Sequence, residues 1–170
     1  MDPAVRFAAL VSGPPPGLRL DHACSLLAAA FTGDYHYDRV MRSLDELAAM
    51  VTEKSLGGVL AAMRGRLTGD RENYFDAKNS FIDAVLVRGL GLPITLSVIA
   101  IEIGRRVDVP IVGVSLPSHF IVRETGRRSH DPDPHPQQPA RALLPRSGSE
   151  GPLRPGGDAW WVRRAGPRGA

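Results

Sequence analysis

The residues of this 170-residue chain whose types can do chemistry are few, and each also has a plain structural use. His119 sits in the run Ser118-His119-Phe120-Ile121-Val122-Arg123, and an imidazole can take up or release a proton near neutral pH. Taken alone it reads as a strand histidine whose ring fills a partly buried gap and bonds one carbonyl. Asp76, Asn79 and Ser80 bring a carboxylate, an amide and a hydroxyl together within five positions. Their plain reading is a turn residue followed by a helix cap, worth about 1 kcal/mol each if truncated. Cys24, the single cysteine, falls on the apolar side of a predicted helix and reads as a buried structural thiol. His130, Asp131, Asp133 and His135 alternate with prolines. Such flexible chain preorganises a metal chelate poorly, and no second pair of ligands is evident, so no metal is expected.

The elements that must position these residues follow from periodicity. Gly13-Pro14-Pro15-Pro16-Gly17 breaks any helix begun over 4–11. Asp21 is then expected to cap a short helix with Cys24, Leu27, Ala28 and Phe31 on one side. Val40, Leu44, Leu47, Ala48 and Val51 recur by threes and fours and predict a helix over about 36–51. Leu56, Val59, Leu60 and Met63 predict a third, weakened by Gly57-Gly58 at about 1 kcal/mol per glycine. Residues 65–78 read as a polar turn. Asn79 or Ser80 is expected to cap a helix carrying Phe81, Ile82, Val85 and Leu86, closed by Gly89-Leu90-Gly91-Leu92. Pro93 suits the first position of the next helix, since its ring presets φ and its missing N–H would be unpaired there anyway. That helix runs to about Val107, is apolar on most faces, and belongs at the centre of the core. Ile111–Ser115 and His119–Arg123 predict two strands joined by a tight connection. The fold class expected is α+β, a helical N-terminal part packed on a small antiparallel sheet.

Composition sets outer limits. A hydrophobic content of 43% fits a globular chain. The longest apolar stretch, Ile94 to Ile103, contains Thr95, Ser97 and Glu102 and falls short of the roughly 20 apolar residues of a membrane span. Met1-Asp2-Pro3 lacks the basic start of a secretory signal. One cysteine excludes an internal disulfide framework, and the whole points to a reducing, cytoplasmic setting. Charge is uneven. Residues 1–124 hold 13 Lys+Arg against 14 Asp+Glu, whereas 125–170 hold 8 Arg against 4 acids. The basic pI of 9.5 is therefore a property of the tail, and it gives no argument for nucleic-acid binding by the folded part.

From 125 on, eight Pro and seven Gly fill 46 residues, and Ile, Phe, Tyr and Met are missing. Such a segment cannot bury enough apolar area to offset the entropy of ordering it. It reads either as a native disordered tail or as a GC-rich gene translated out of frame beyond about residue 124. The expected organisation is an N-terminal segment over 1–19, a domain over 20–124 and a Pro/Gly/Arg-rich tail over 125–170.

Three blocks in fixed order carry a resemblance. The first is Asn73-Tyr74-Phe75-Asp76-Ala77-Lys78-Asn79-Ser80-Phe81-Ile82-Asp83-Ala84-Val85-Leu86. The second is Gly91-Leu92-Pro93-Ile94-Thr95-Leu96-Ser97, with its helix ending in Ile103-Gly104-Arg105-Arg106. The third is Gly113-Val114-Ser115-Leu116-Pro117-Ser118-His119-Phe120-Ile121-Val122-Arg123. Over about 20–124 this resembles the SirB-type family of bacterial transglutaminase-like proteins, with Ser118 where that family usually has glycine. The resemblance implies an incomplete transglutaminase-like fold, C-terminally truncated or frameshifted, in which Asp131-Pro132 or Asp133-Pro134 is the remnant of a further family block.

The same resemblance implies three roles: a cysteine at the start of the buried helix, a histidine on the adjacent strand, and a group orienting its ring. His119 takes the histidine's place and Asp131 that of the orienting acid. The cysteine's place falls near Pro93–Thr95, where no thiol stands. Asp76, Asn79, Ser80 and Ser118 would then line a cleft and bind or orient a ligand. Two functions follow. One is a non-catalytic module with a binding or regulatory role, holding a protein or peptide partner, without cofactor, membrane or nucleic acid. The other is a cysteine-less hydrolase or acyltransferase using Thr95 or Ser97 with His119 as base. A third reading is a truncated gene product without function of its own.

Overall fold

The computed structural model describes residues 2–13, 18–117 and 119–126. Ser118 and Asp131 lie outside them. The helices are α1 (Pro3–Val11), α2 (Leu20–Thr32), α3 (Tyr37–Ala49), α4 (Leu56–Met63), α5 (Ile82–Arg88) and α6 (Pro93–Arg106). The strands are β1 (Thr68–Gly69), β2 (Leu90–Gly91), β3 (Ile111–Leu116) and β4 (His119–Glu124). A short 3₁₀ turn covers Ala77–Asn79. This is an α+β fold.

Helix α6 starts as its sequence predicts, with Pro93 in the first turn. Its Leu96, Ile99, Ala100 and Ile103 are fully buried. Helices α2, α3, α4 and α5 surround it, and both strands of the hairpin cover another side. One continuous core joins Val40, Leu44 and Leu47 of α3, Val59 and Met63 of α4, and Ile82 and Val85 of α5 to these α6 side chains. Burying a side chain of this kind contributes about 1.5–3 kcal/mol. The core therefore stabilises the position of α6 more than any single polar contact does.

The hairpin is antiparallel and pairs Ile111 with Glu124, Gly113 with Val122 and Leu116 with His119. Directly opposed residues share a face, and successive residues alternate faces. Ile111, Gly113, Ser115, Phe120, Val122 and Glu124 therefore form one face, and Val112, Val114, Leu116, His119, Ile121 and Arg123 the other. Ile111 and Val122 are buried, so the first face lies on α6. Contact with α6 begins at Gly104. A Cβ there would lie 2.7 Å from Ile111 Cδ1 and 2.8 Å from the Val109 carbonyl oxygen. From that point β3 runs back along α6, and the His119 end of the hairpin is its far end.

Local expectations need four corrections. Asp21 is not the cap of α2; Arg19 holds that place without a side-chain bond, and Asp21 lies in the first turn. The buried side of α2 is Ala23, Leu26, Ala28 and Ala29, while Leu27 is 37% and Phe31 73% exposed. The small residues face inward because α2 packs closely on its neighbours, and Phe31 stacks on Phe81 at the surface instead. Helix α5 is capped by neither Asn79 nor Ser80, since Phe81 is its N-cap residue and makes no side-chain bond. The polar stretch 65–78 is more than a turn. Its Thr68 and Asp70 N–H groups donate to the Gly89 and Gly91 carbonyls at 2.8 and 3.2 Å, forming the parallel β1–β2 pair. A two-residue strand carries too little periodicity to be seen in sequence.

Replacing Gly104 with alanine is expected to cost about 1–3 kcal/mol, because the new methyl meets backbone as well as Ile111. Urea denaturation should show a lower midpoint at unchanged slope.

Candidate functional site

Two polar clusters fix the ends of α6. The first stands at its carboxyl end. Glu102, 2% exposed, projects from the mostly apolar helix α6 toward α2. Its Oε1 accepts from the backbone N–H of Leu20 at 3.0 Å and of Asp21 at 3.4 Å. A side chain 82 residues downstream thus does for α2 what a local cap would. Its Oε2 accepts from Arg105 at 2.7 Å and Arg106 at 3.1 Å. Arg106 also reaches Asp21 at 3.0 Å and, through Nε, Asp45 at 2.7 Å. Fully buried Asp21 further accepts from Arg19 at 2.8 Å. Burial alone pushes the Asp21 carboxyl up, but the Arg19 and Arg106 hydrogen bonds outweigh it and hold it below the usual range.

The second cluster supports the amino end of α6. Fully buried Asn79 donates through Nδ2 to Asp70 at 3.2 Å and to the Asn73 carbonyl at 2.8 Å. Its Oδ1 accepts from Arg88 at 3.2 Å. The backbone carbonyl of Asn79 accepts from the N–H of Leu92, the residue just before α6, at 3.0 Å. Asp76 caps the 3₁₀ turn through Lys78 N at 2.9 Å and lies 3.2 Å from Arg88. The Asn73 N–H foremost, with Asn79 and Arg88 behind it, holds the Asp70 carboxyl below its ordinary range. Asp76 and Asn79 are thus brought together as a clasp, whereas Ser80 is exposed beside it. The sequence reading missed Asp70 and Arg88. The one available signal was an acid and an arginine each nine positions from Asn79, too weak to single out.

The candidate chemical groups are distributed differently. Thr95 is 5% and Ser97 0% exposed, and the Ser97 Oγ has no hydrogen-bond partner. Residues on a helix advance by about 100° each. Ser97 stands seven residues before Gly104, about 20° from it around the axis, and so faces the hairpin. Thr95, nine residues before Gly104, stands about 180° away. His119 is exposed and belongs to the hairpin face that turns away from α6. No side-chain hydrogen bond joins its ring to Thr95 or Ser97, so neither is linked to it as nucleophile and base. Burial first, then the charges of Glu102 and Asp21, pushes the Cys24 thiol up to about 11, the reverse of what a nucleophile needs. Among the described residues no three His, Cys, Asp or Glu side chains gather as a metal site, and no helix is long and apolar enough to cross a membrane.

An α+β domain built on a buried helix with a hairpin laid along it is the class these elements define. Residues 32–136 match the family model described as transglutaminase-like superfamily, and the chain belongs to that superfamily. It is 40% identical over 95 residues to a UPF0162 protein of Xylella fastidiosa (strain Temecula1), covering 51% of this chain and 34% of that one. It is 28% identical over 153 residues to a UPF0162 protein of Pseudomonas aeruginosa, covering 78% of this chain and 56% of that one. A shorter similarity, 38% over 58 residues, links 34% of the chain to 9% of the human F-box only protein 21. The chain thus spans between a third and somewhat over half the length of these bacterial relatives. No solved structure matches it.

Two outcomes follow from the clusters. Asp21 and Asp70 have folded-state values below their unfolded ones, so their contribution is complete above the unfolded value of about 3.9 and is lost as pH falls through the folded values. Stability should be level above about pH 5 and decline below about pH 4, and Asp21→Asn should lower the plateau and flatten the decline, as read by urea midpoints across pH. Cys24 should react with iodoacetamide at neutral pH far more slowly in the native chain than in urea.

Proposed function

We propose that this chain is a SirB-type, non-catalytic transglutaminase-like module that binds a peptide or a segment of a partner protein beside His119. The observation that carries this reading is the chemistry at the start of α6. Pro93, Ile94 and Thr95 offer no thiol, and proline cannot act as a nucleophile. A helix amino terminus favours thiolate over thiol through its dipole, but it does little for a hydroxyl whose proton has no base to leave to. Thr95 and Ser97 are buried, and His119 lies on the other side of the hairpin from both.

Two further observations support a binding role. The clasp of Asp70, Asn79 and Arg88 holds the amino end of α6 rigidly, as a recognition surface needs. On the outer face of the hairpin Leu116, 43% exposed, is paired with His119, and Val112, 37% exposed, continues the same face toward Arg123. The curated bacterial relatives extend well beyond this chain, so the module would work within a longer architecture.

The purified chain should release no ammonia from glutamine peptides and hydrolyse no ester or amide substrate above background. Turnover that disappears in both His119→Ala and Thr95→Val, with circular dichroism and melting unchanged, would instead establish the cysteine-less hydrolase or acyltransferase.

A further inference from the structure

The two strands of the hairpin differ as edges. Thr125 N–H donates to the Pro110 carbonyl at 2.8 Å, which makes these two residues a hydrogen-bonded pair of the antiparallel ladder. Such pairs alternate with non-bonded ones, so Val112, Val114 and Leu116 turn their main-chain groups toward β4. Ile111, Gly113 and Ser115 turn theirs outward, and no hydrogen bond reaches them among the described residues. Nor is this edge guarded. Strand β4 carries Arg123 and Glu124, whereas Ile111-Val112-Gly113-Val114-Ser115-Leu116 has no charge and no proline. Edge strands are normally protected by one or the other, because an open edge templates a further strand.

A second feature lies on the same side. Helix α6 opens to solvent along one stripe, Ile94, Val98, Ile101 and Arg105, with Ile94 50% exposed and Val98 and Ile101 half-buried. These positions stand about 60–120° around the axis from Gly104, beside the hairpin contact and not under it. Glu124 of β4 accepts from the Leu56 N–H, in the first turn of α4, at 2.8 Å, and Val122 is fully buried. Strand β3 instead leaves Gly113 and Ser115 exposed on the face it turns to α6. The helical body therefore stands on the β4 side, and the stripe of α6 opens on the β3 side.

Both features are self-complementary about one point. Ile111 meets α6 at Gly104, and a strand rises about 3.3 Å per residue against about 1.5 Å for a helix. Gly113 therefore stands about four to five helix residues back, beside Ile99 and Ala100. The stripe is symmetric about that place, since Val98 mirrors Ile101 and Ile94 mirrors Arg105. A twofold axis at Gly113 would pair Ile111 with Ser115 of a second copy and set Val112 against its Val114. It would hold the two hairpins two strand spacings apart, about 9–10 Å, which is also the distance at which helices pack. One placement thus satisfies the strand edge and the helix stripe together, whereas an unrelated strand would satisfy only the first.

We infer that β3 and the open stripe of α6 dock a second copy of this chain, joined by antiparallel β3–β3 pairing into a four-stranded sheet over two antiparallel α6 helices. No like charges meet, because β3 is neutral and Arg105 of each copy lies against Ile94 of the other. Such pairing does not depend on whether a peptide binds beside His119.

Sedimentation equilibrium of the full chain should show a reversible doubling of its 18.3 kDa mass with rising micromolar concentration. Amide exchange at Gly113 and Ser115 should slow over the same range, while that at Phe120 and Val122, on the β4 edge, should not change. Ile94→Lys puts an ammonium against Arg105 of the other copy, and Ile94→Glu a carboxylate. The contact occurs twice in a twofold dimer, so the lysine variant should dimerise about tenfold more weakly than the glutamate one, and salt should narrow the gap. Ser115→Pro removes an outward N–H and no bond to β4, so it should melt like the parent and lose the dimer. Val112→Lys, at an exposed position near the axis, should do the same without touching the backbone. A monomer at every concentration would overturn the inference, as would open-ended association, since a twofold pairing closes. So would a dimer in which both Ile94 variants associate alike, or one that protects Phe120 and Val122 in place of Gly113 and Ser115.

Discussion

Everything in this fold depends on keeping α6 dry while it carries one buried carboxyl group, Glu102. Leu96, Ile99, Ala100 and Ile103 require burial on several sides at once, and Glu102 on the same helix would oppose it if left alone. The conflict is resolved by supplying Glu102 with every partner it can accept. The otherwise unpaired N–H groups of the first turn of α2 fill one oxygen, and Arg105 and Arg106 fill the other. Breaking a buried pair of this kind by removing one partner typically costs about 3–5 kcal/mol. The same contact therefore caps α2, places it against α6, and lets Asp21 be buried beside Arg106.

The opposite end of α6 follows a different logic. There the backbone is placed by neutral and partly charged hydrogen bonds routed through Asn79, and the terminus itself is left uncapped. A helix stabilised at its carboxyl end by an ion network can tolerate an unanswered amino end. The resemblance places a thiol at that point, and none stands here, so the dipole of α6 has no thiol to activate. The geometry of His119 agrees with this, since its ring shares a hairpin face with Leu116 and Ile121 and not with Val122.

Much of the architecture was legible because it rests on local rules. The threes-and-fours spacing of Val40, Leu44 and Leu47 placed α3, Pro93 marked the first turn of α6, and β-branched alternation placed the hairpin. What failed were the caps and the buried side of α2. Asp21 has the type of a capping residue, but Glu102 from a distant helix takes that role, and no rule confined to neighbours could show it. Phe31 looks like core by type, yet the close approach of α2 to its neighbours favours Ala23, Ala28 and Ala29 inside. Asn79 was recognised as polar punctuation, while its junction with Asp70 and Arg88 was not, because the link is made across a loop and a helix.

The sequence alone determined which segments are helical, that α6 is the central one, and that no thiol stands at its start, since these depend on residue type and on spacing along one chain. Only the tertiary structure decided which hydroxyl faces the hairpin. Thr95 and Ser97 are neighbours in sequence, and choosing between them takes the contact of Gly104 with Ile111, which fixes the rotation of α6 about its axis. It also decided that His119 faces away from that helix, because strand parity is set by which partner residues the hairpin buries and not by the histidine itself.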